Sequence, residues 1–115
     1  MASDVKVLNK TAVIPPGYLA VNIMRPSIFG NPFYMKFETQ RPKCIEKFRQ
    51  YLWQQMKNKN NPLIKEMKKL VQTDQAIALV CCCKPAQCHG DVIKAAILWM
   101  RETKYFESTA TKQKE

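Results

Sequence analysis

Four of the five cysteines and the only histidine fall within nine residues, in the stretch Cys81-Cys82-Cys83-Lys84-Pro85-Ala86-Gln87-Cys88-His89-Gly90-Asp91. Three chemistries fit these residue types. A thiol beside an imidazole can act as an activated nucleophile. Thiols and imidazole are also zinc ligands, but Cys83, Cys88 and His89 lack a fourth ligand at the usual spacing, and Cys44 stands alone. The third chemistry is anion binding. If a helix starts near Gly90, its unpaired N–H groups attract a phosphate or carboxylate, with Lys84 and His89 in support. They would also lower the pKa of a nearby thiol. Buried thiols with a capping histidine are the plain structural alternative, and spacing alone does not separate the four.

The elements that must position these groups are legible from periodicity. Val5 to Asn9 alternates and reads as a strand, and Thr11 to Val13 could return beside it. Pro15-Pro16-Gly17 is a turn. Tyr18 to Ile23 is a second strand, closed by Pro26. Residues 26–42 carry four prolines and glycines, yet Ile28, Phe29, Phe33, Tyr34 and Phe37 are too apolar for a loose linker. An ordered, functional loop is expected there. A helix over about 42–58 has an apolar stripe of Cys44, Ile45, Phe48, Leu52 and Met56. Pro62 opens a second helix, with Leu63, Ile64, Met67, Leu70 and Val71 inward. Ala76 to Cys81 is a short apolar run, best read as a central buried strand. Its alternation puts Cys81 and Cys83 on one face and Cys82 on the other. A Cys82 facing a covering helix would be an inert hydrophobe. A last helix over about 90–105 has Val92, Ala95, Ala96, Trp99 and Met100 inward. The expected fold is α/β: a small mixed sheet of about three to five strands flanked by about three helices. Residues 1–106 form the domain and 107–115 a polar, frayed tail.

Composition bounds the function. The chain has 115 residues, 46% of them hydrophobic, which suits one folded domain. Net charge is +10, and residues 36–69 alone hold ten basic and three acidic side chains. Such a field favours phosphate-bearing or acidic partners, although a solvated lysine-rich helix face has the same composition. No apolar run approaches the roughly 20 residues needed to span a bilayer. The first residues have no signal-peptide pattern, and an odd cysteine count with three adjacent is a poor disulfide framework. A cytoplasmic protein with reduced thiols is expected.

A second motif, Arg25-Pro26-Ser27-Ile28-Phe29-Gly30-Asn31-Pro32-Phe33, precedes the cysteine stretch. Together with Cys44-Ile45-Glu46-Lys47-Phe48-Arg49-Gln50-Tyr51-Leu52 and the late Cys-Lys-Pro…Cys-His-Gly-Asp element, it resembles domain of unknown function 4326, an uncharacterised phage and bacterial family. The three elements occur in order across roughly residues 20–98. Cys82 stands where the family pattern commonly has tryptophan, a position read here as facing packing. The resemblance implies an α/β fold in which both motifs meet at one site, in a bacterial or phage-infected cytosol. It carries no known activity, and a nucleotide or nucleotide-sugar ligand follows only by analogy with small α/β nucleotide binders.

The residue types suggest roles. Arg25 would clamp a phosphate or carboxylate. Ser27 adds a hydroxyl, Gly30 permits close approach, and Asn31 offers both donor and acceptor. The ordinary alternatives are a pairing of Arg25 with Asp91 and a simple turn at Gly30-Asn31-Pro32. Asp91 could merely favour the helix dipole, act as a base, or hold His89. The expected function is binding of a phosphorylated nucleotide-like ligand, with hydrolysis or transfer if the protein is an enzyme. Catalytic candidates are Cys83, Cys88, His89 and Asp91. Ligand-binding candidates are Arg25, Ser27, Gly30, Asn31, Lys84 and Gly90. With no dinucleotide fingerprint or Cys-x-x-Cys pair, hydrolysis or glycosyl transfer is favoured over redox work; no cofactor or metal is expected. The alternative is a non-catalytic basic module whose residues 36–69 contact nucleic acid or an acidic host protein, with the cysteine stretch structural.

Overall fold

The computed structural model describes residues 4–82, 84 and 86–106. Strands β1 (Val5–Asn9), β2 (Tyr18–Asn22) and β3 (Ala76–Cys81) form a sheet in the order β1-β3-β2. Helices α1 (Arg41–Met56), α2 (Pro62–Gln72) and α3 (His89–Glu102) complete the fold, with one 3-10 turn at Glu38–Gln40. This is a small α/β domain.

The sheet is parallel throughout the described residues, not mixed. β3 lies between the other two strands, with Val5 and Leu19 both in register with Ile77, and Val7 and Val21 both with Leu79. Residues 11–13 form no returning strand. A hairpin partner would have to run antiparallel, whereas β1 and β2 both pair parallel with the apolar run that arrives 54 residues after β2. Sequence periodicity shows a strand but not its partner, because pairing is a long-range contact.

One core joins the sheet to all three helices. Ile77, Leu79 and Cys81 on one face of β3 cluster with Phe48 and Leu52 of α1, Ile64 and Met67 of α2, and Ile93, Ile97 and Met100 of α3. Each large side chain buried there stabilises the fold by about 1.5–3 kcal/mol. The stripe of α3 differs from the expected one. Ile93 and Ile97 are buried with Met100, while Ala95 and Trp99 are exposed. Val92, Ala95, Ala96 and Trp99 instead line a groove against α1, with the Trp99 ring edge-on to Trp53 at 5.2 Å. Two apolar stripes run side by side on this helix, and periodicity cannot say which one meets the sheet.

The helix ends are locally specified. Asn61 caps α2 by accepting from the Leu63 N–H at 2.9 Å, and Pro62 follows it. The last carbonyls of α2 are satisfied from another helix. Arg101 Nε donates to the Val71 oxygen at 3.1 Å, and Nη2 to that of Leu70 at 3.0 Å. No helix of the described residues is long and apolar enough to cross a membrane.

Candidate functional site

Parallel strands end together, and the loops after them share one side of the sheet. Here the loop after β2 carries the Arg-Pro-Ser…Gly-Asn-Pro motif, and the loop after β3 leads into Cys88 and α3. The two motifs therefore meet. Between them and the start of α1 lies a cavity of about 390 Å³, within the range of small-ligand pockets. Arg25, Asn31, Cys88 and His89 line it, all four from the sequence-derived set.

Cys88 is the N-cap of α3. Its Sγ accepts from the Gly90 N–H at 3.2 Å, its carbonyl accepts from the Asp91 N–H, and its own N–H donates to Asp91 Oδ2 at 3.3 Å. Burial pushes this thiol up to about 12, partly opposed by the Gly90 N–H and reinforced by a thiol contact with Cys81. The helix terminus is not enough to offset desolvation, so Cys88 is held as a neutral thiol.

His89 is 8% exposed and uses Nε2 twice, at 2.8 Å to the Ile23 oxygen and 3.1 Å to the Phe29 oxygen. Both partners are acceptors, so Nε2 carries the hydrogen and Nδ1 the lone pair. Burial pushes its pKa below the usual histidine value, and the two carbonyl bonds oppose the shift. The ring sits edge-on to Phe48 at 5.0 Å. His89 is thus a neutral strut between α3 and the motif loop, and its Nδ1 has no partner among the described residues.

Asp91 and Lys84 close the other side of the helix start. Lys84 Nζ donates to Asp91 Oδ1 at 2.7 Å, which raises the lysine pKa. Asp91 reaches neither His89 nor Arg25. Gly90 is buried where a Cβ would lie 2.7 Å from Ile23 Cδ1 and 2.8 Å from Val7 Cγ1, so it permits close packing of α3 on the sheet.

In the loop after β2, the Arg25–Pro26 bond is cis. Ser27 Oγ donates to the Asn22 oxygen and accepts from the Phe29 N–H, and the Gly30 N–H donates to the Ser27 oxygen. Ser27 and Gly30 shape the turn and are not among the cavity-lining residues. Asn31 Oδ1 accepts from the Phe33 N–H at 2.9 Å, while its amide donates weakly to Cys44 Sγ at 3.6 Å. Arg25 Nη1 donates to the Asn31 oxygen at 2.7 Å and the Phe33 oxygen at 3.3 Å, and its guanidinium lies 3.8 Å from the Tyr34 ring centre. Its Nε and Nη2 have no acceptor among the described residues.

Cys83 lies outside the described residues. Cys82, expected on a packing face, is instead the exposed thiol and lines the cavity. β3 ends at Cys81, so strand alternation does not extend to Cys82, and both thiols line the same cavity.

Sequence reasoning missed the rest of the lining. Arg41, at the first turn of α1, donates through Nε and Nη2 to the Glu38 carboxylate and through Nη1 to the Gln87 oxygen at 2.8 Å. Its place just before Pro42, at an expected helix start facing the motif loop, was the available signal. Met24, Phe33, Met35 and Ile45 supply apolar wall. Among the described residues no group of three or more His, Cys, Asp or Glu side chains is placed to hold a metal ion.

No curated protein and no solved structure matches the chain. A family model described as Domain of unknown function (DUF4326) matches residues 8–99, from the end of β1 to Trp99. That span takes in both loops that build the cavity and most of the chain, so the protein belongs to the DUF4326 family.

Proposed function

We propose that the cavity binds a small phosphorylated ligand of the nucleotide or nucleotide-sugar class. One observation carries the reading. Arg25 is locked by Nη1 and by stacking on Tyr34, while Nε and Nη2 have no acceptor among the described residues. A preorganised guanidinium edge of this kind suits bidentate contact with phosphate. Arg41 adds positive charge at the same cavity. Phe33, Met24, Met35 and several thiols offer polarizable wall against which a planar base can pack.

The reading is of binding first. Of the four residues expected to catalyse, Cys88, His89 and Asp91 are engaged in capping and loop-anchoring hydrogen bonds. Hydrolysis or transfer would draw on His89 Nδ1, which has no hydrogen-bond partner among the described residues. Calorimetric titration of the reduced protein with nucleoside monophosphates, diphosphates and nucleotide sugars tests the proposal. Arg25→Gln should weaken binding at least tenfold, the loss of about 1.5–3 kcal/mol typical of a charge-assisted hydrogen bond. Equal affinity in a folded Arg25→Gln variant would overturn it.

A further inference from the structure

The loop that walls the cavity also displays two large aromatic rings to solvent. Phe33 and Met35 line the cavity, whereas Tyr34 and Phe37 are 77% and 63% exposed. These rings are not on loose chain. The Phe33 oxygen accepts from both Arg25 and Cys44, and the N–H groups of Lys36 and Phe37 donate to Gln40 Oε1 at 2.7 and 3.2 Å. A scaffold that holds aromatic side chains in water keeps a surface ready for contact.

The charge around the rings selects the partner. Residues 25–45 contain Arg25, Lys36, Arg41 and Lys43 against a single acid, Glu38, whose carboxylate Arg41 holds. Lys36 and Lys43 are exposed. Rings interleaved with cations are the composition of single-strand nucleic-acid surfaces, where bases stack and phosphates meet lysines. On helix α1, Tyr51 packs against the core and the Trp53 ring is engaged edge-on by Trp99 in the groove against α3, away from this loop.

We infer that Tyr34 and Phe37 are a stacking platform for a single-stranded nucleic acid, one of whose nucleotides enters the cavity. This rests on the nucleotide reading of the cavity and names its ligand as part of a strand and not a free metabolite. The strand's phosphates would follow Arg25, Lys36 and Lys43.

The test measures anisotropy of labelled oligothymidylate and oligouridylate of about eight nucleotides, beside calorimetry with the corresponding monophosphates. The oligomers should bind at least tenfold tighter than the monophosphates and weaken steeply with salt. Phe37→Ala, which does not touch the cavity, should cost the oligomers roughly tenfold and leave monophosphate binding within about twofold. Monophosphate binding without any gain from the oligomer would overturn this inference and leave the cavity reading standing. An oligomer that binds equally well to Phe37→Ala would also overturn it. Binding of neither would overturn both. Binding of polyglutamate with the same Phe37 dependence, and of no oligonucleotide, would assign the surface to an acidic protein instead.

Discussion

The Nε2–H of His89 donates to the carbonyl oxygen of Ile23 at 2.8 Å, tying the first turn of α3 to the residue just beyond β2. The bond spans 66 residues of sequence. The same nitrogen also meets the Phe29 oxygen at 3.1 Å, which joins the two motifs, and neither bond by itself requires a neutral ring, since an imidazolium could still donate there. What disfavours the charged form is burial.

That burial sets a pH dependence. The folded-state pKa of His89 lies below the unfolded value of 6.5. Its contribution is therefore fully present above about pH 6.5, and is lost as pH falls toward the folded-state pKa, because the unfolded chain takes up the proton first. Thermal unfolding followed by circular dichroism should show a melting temperature that drops between about pH 7.5 and 5.5. His89→Gln should flatten that slope. A slope unchanged by the substitution would remove His89 as its cause.

Thiol reactivity should rank by exposure. Cys82 is exposed, while Cys44, Cys81 and Cys88 are buried. With its pKa near 12, Cys88 presents almost no thiolate at neutral pH. Alkylation of the native protein with iodoacetamide, mapped by peptide mass, should label Cys82 well before Cys81 and Cys88. Early labelling of Cys88 would mean an accessible, ionised thiol and would restore its candidacy as a nucleophile.

Gly90→Ala places two effects in opposition. Alanine gains about 1 kcal/mol of helix propensity over glycine. The new Cβ would fall 2.7 and 2.8 Å from Ile23 and Val7 atoms, closer than packed carbons approach. Overpacking of this kind costs about 1–3 kcal/mol, so a net loss is expected. Urea denaturation decides the sign, and a stabilised variant would show that α3 can move off the sheet without cost.

Asp91→Ala should destabilise the fold by about 0.5–2 kcal/mol through loss of the capping box, with the Lys84 contact adding little at the surface. Asp91→Asn keeps an acceptor for the Cys88 N–H and should recover much of the loss. If both variants unfold alike in urea, the charge and not the cap is what matters.

Much of the architecture is local and was readable. The strand at Ala76–Cys81 and the proline start of α2 depend on neighbours in sequence, so periodicity and turn chemistry find them. Sheet order does not, because β3 pairs with strands far away in the chain. The inner face of α3 was misplaced for a related reason: Val92 and Trp99 are apolar, but the surface they meet belongs to α1.

The sequence by itself determined that two motifs rich in chemistry flank a small α/β core, since residue types and short spacings are written into it. Only the tertiary structure decided what each residue does there. Folding buries Cys88 and raises its pKa, turns His89 into a strut, exposes Cys82, and brings Arg41 beside Arg25. Desolvation and long-range contact set those roles, and neither is a property of any short stretch of chain.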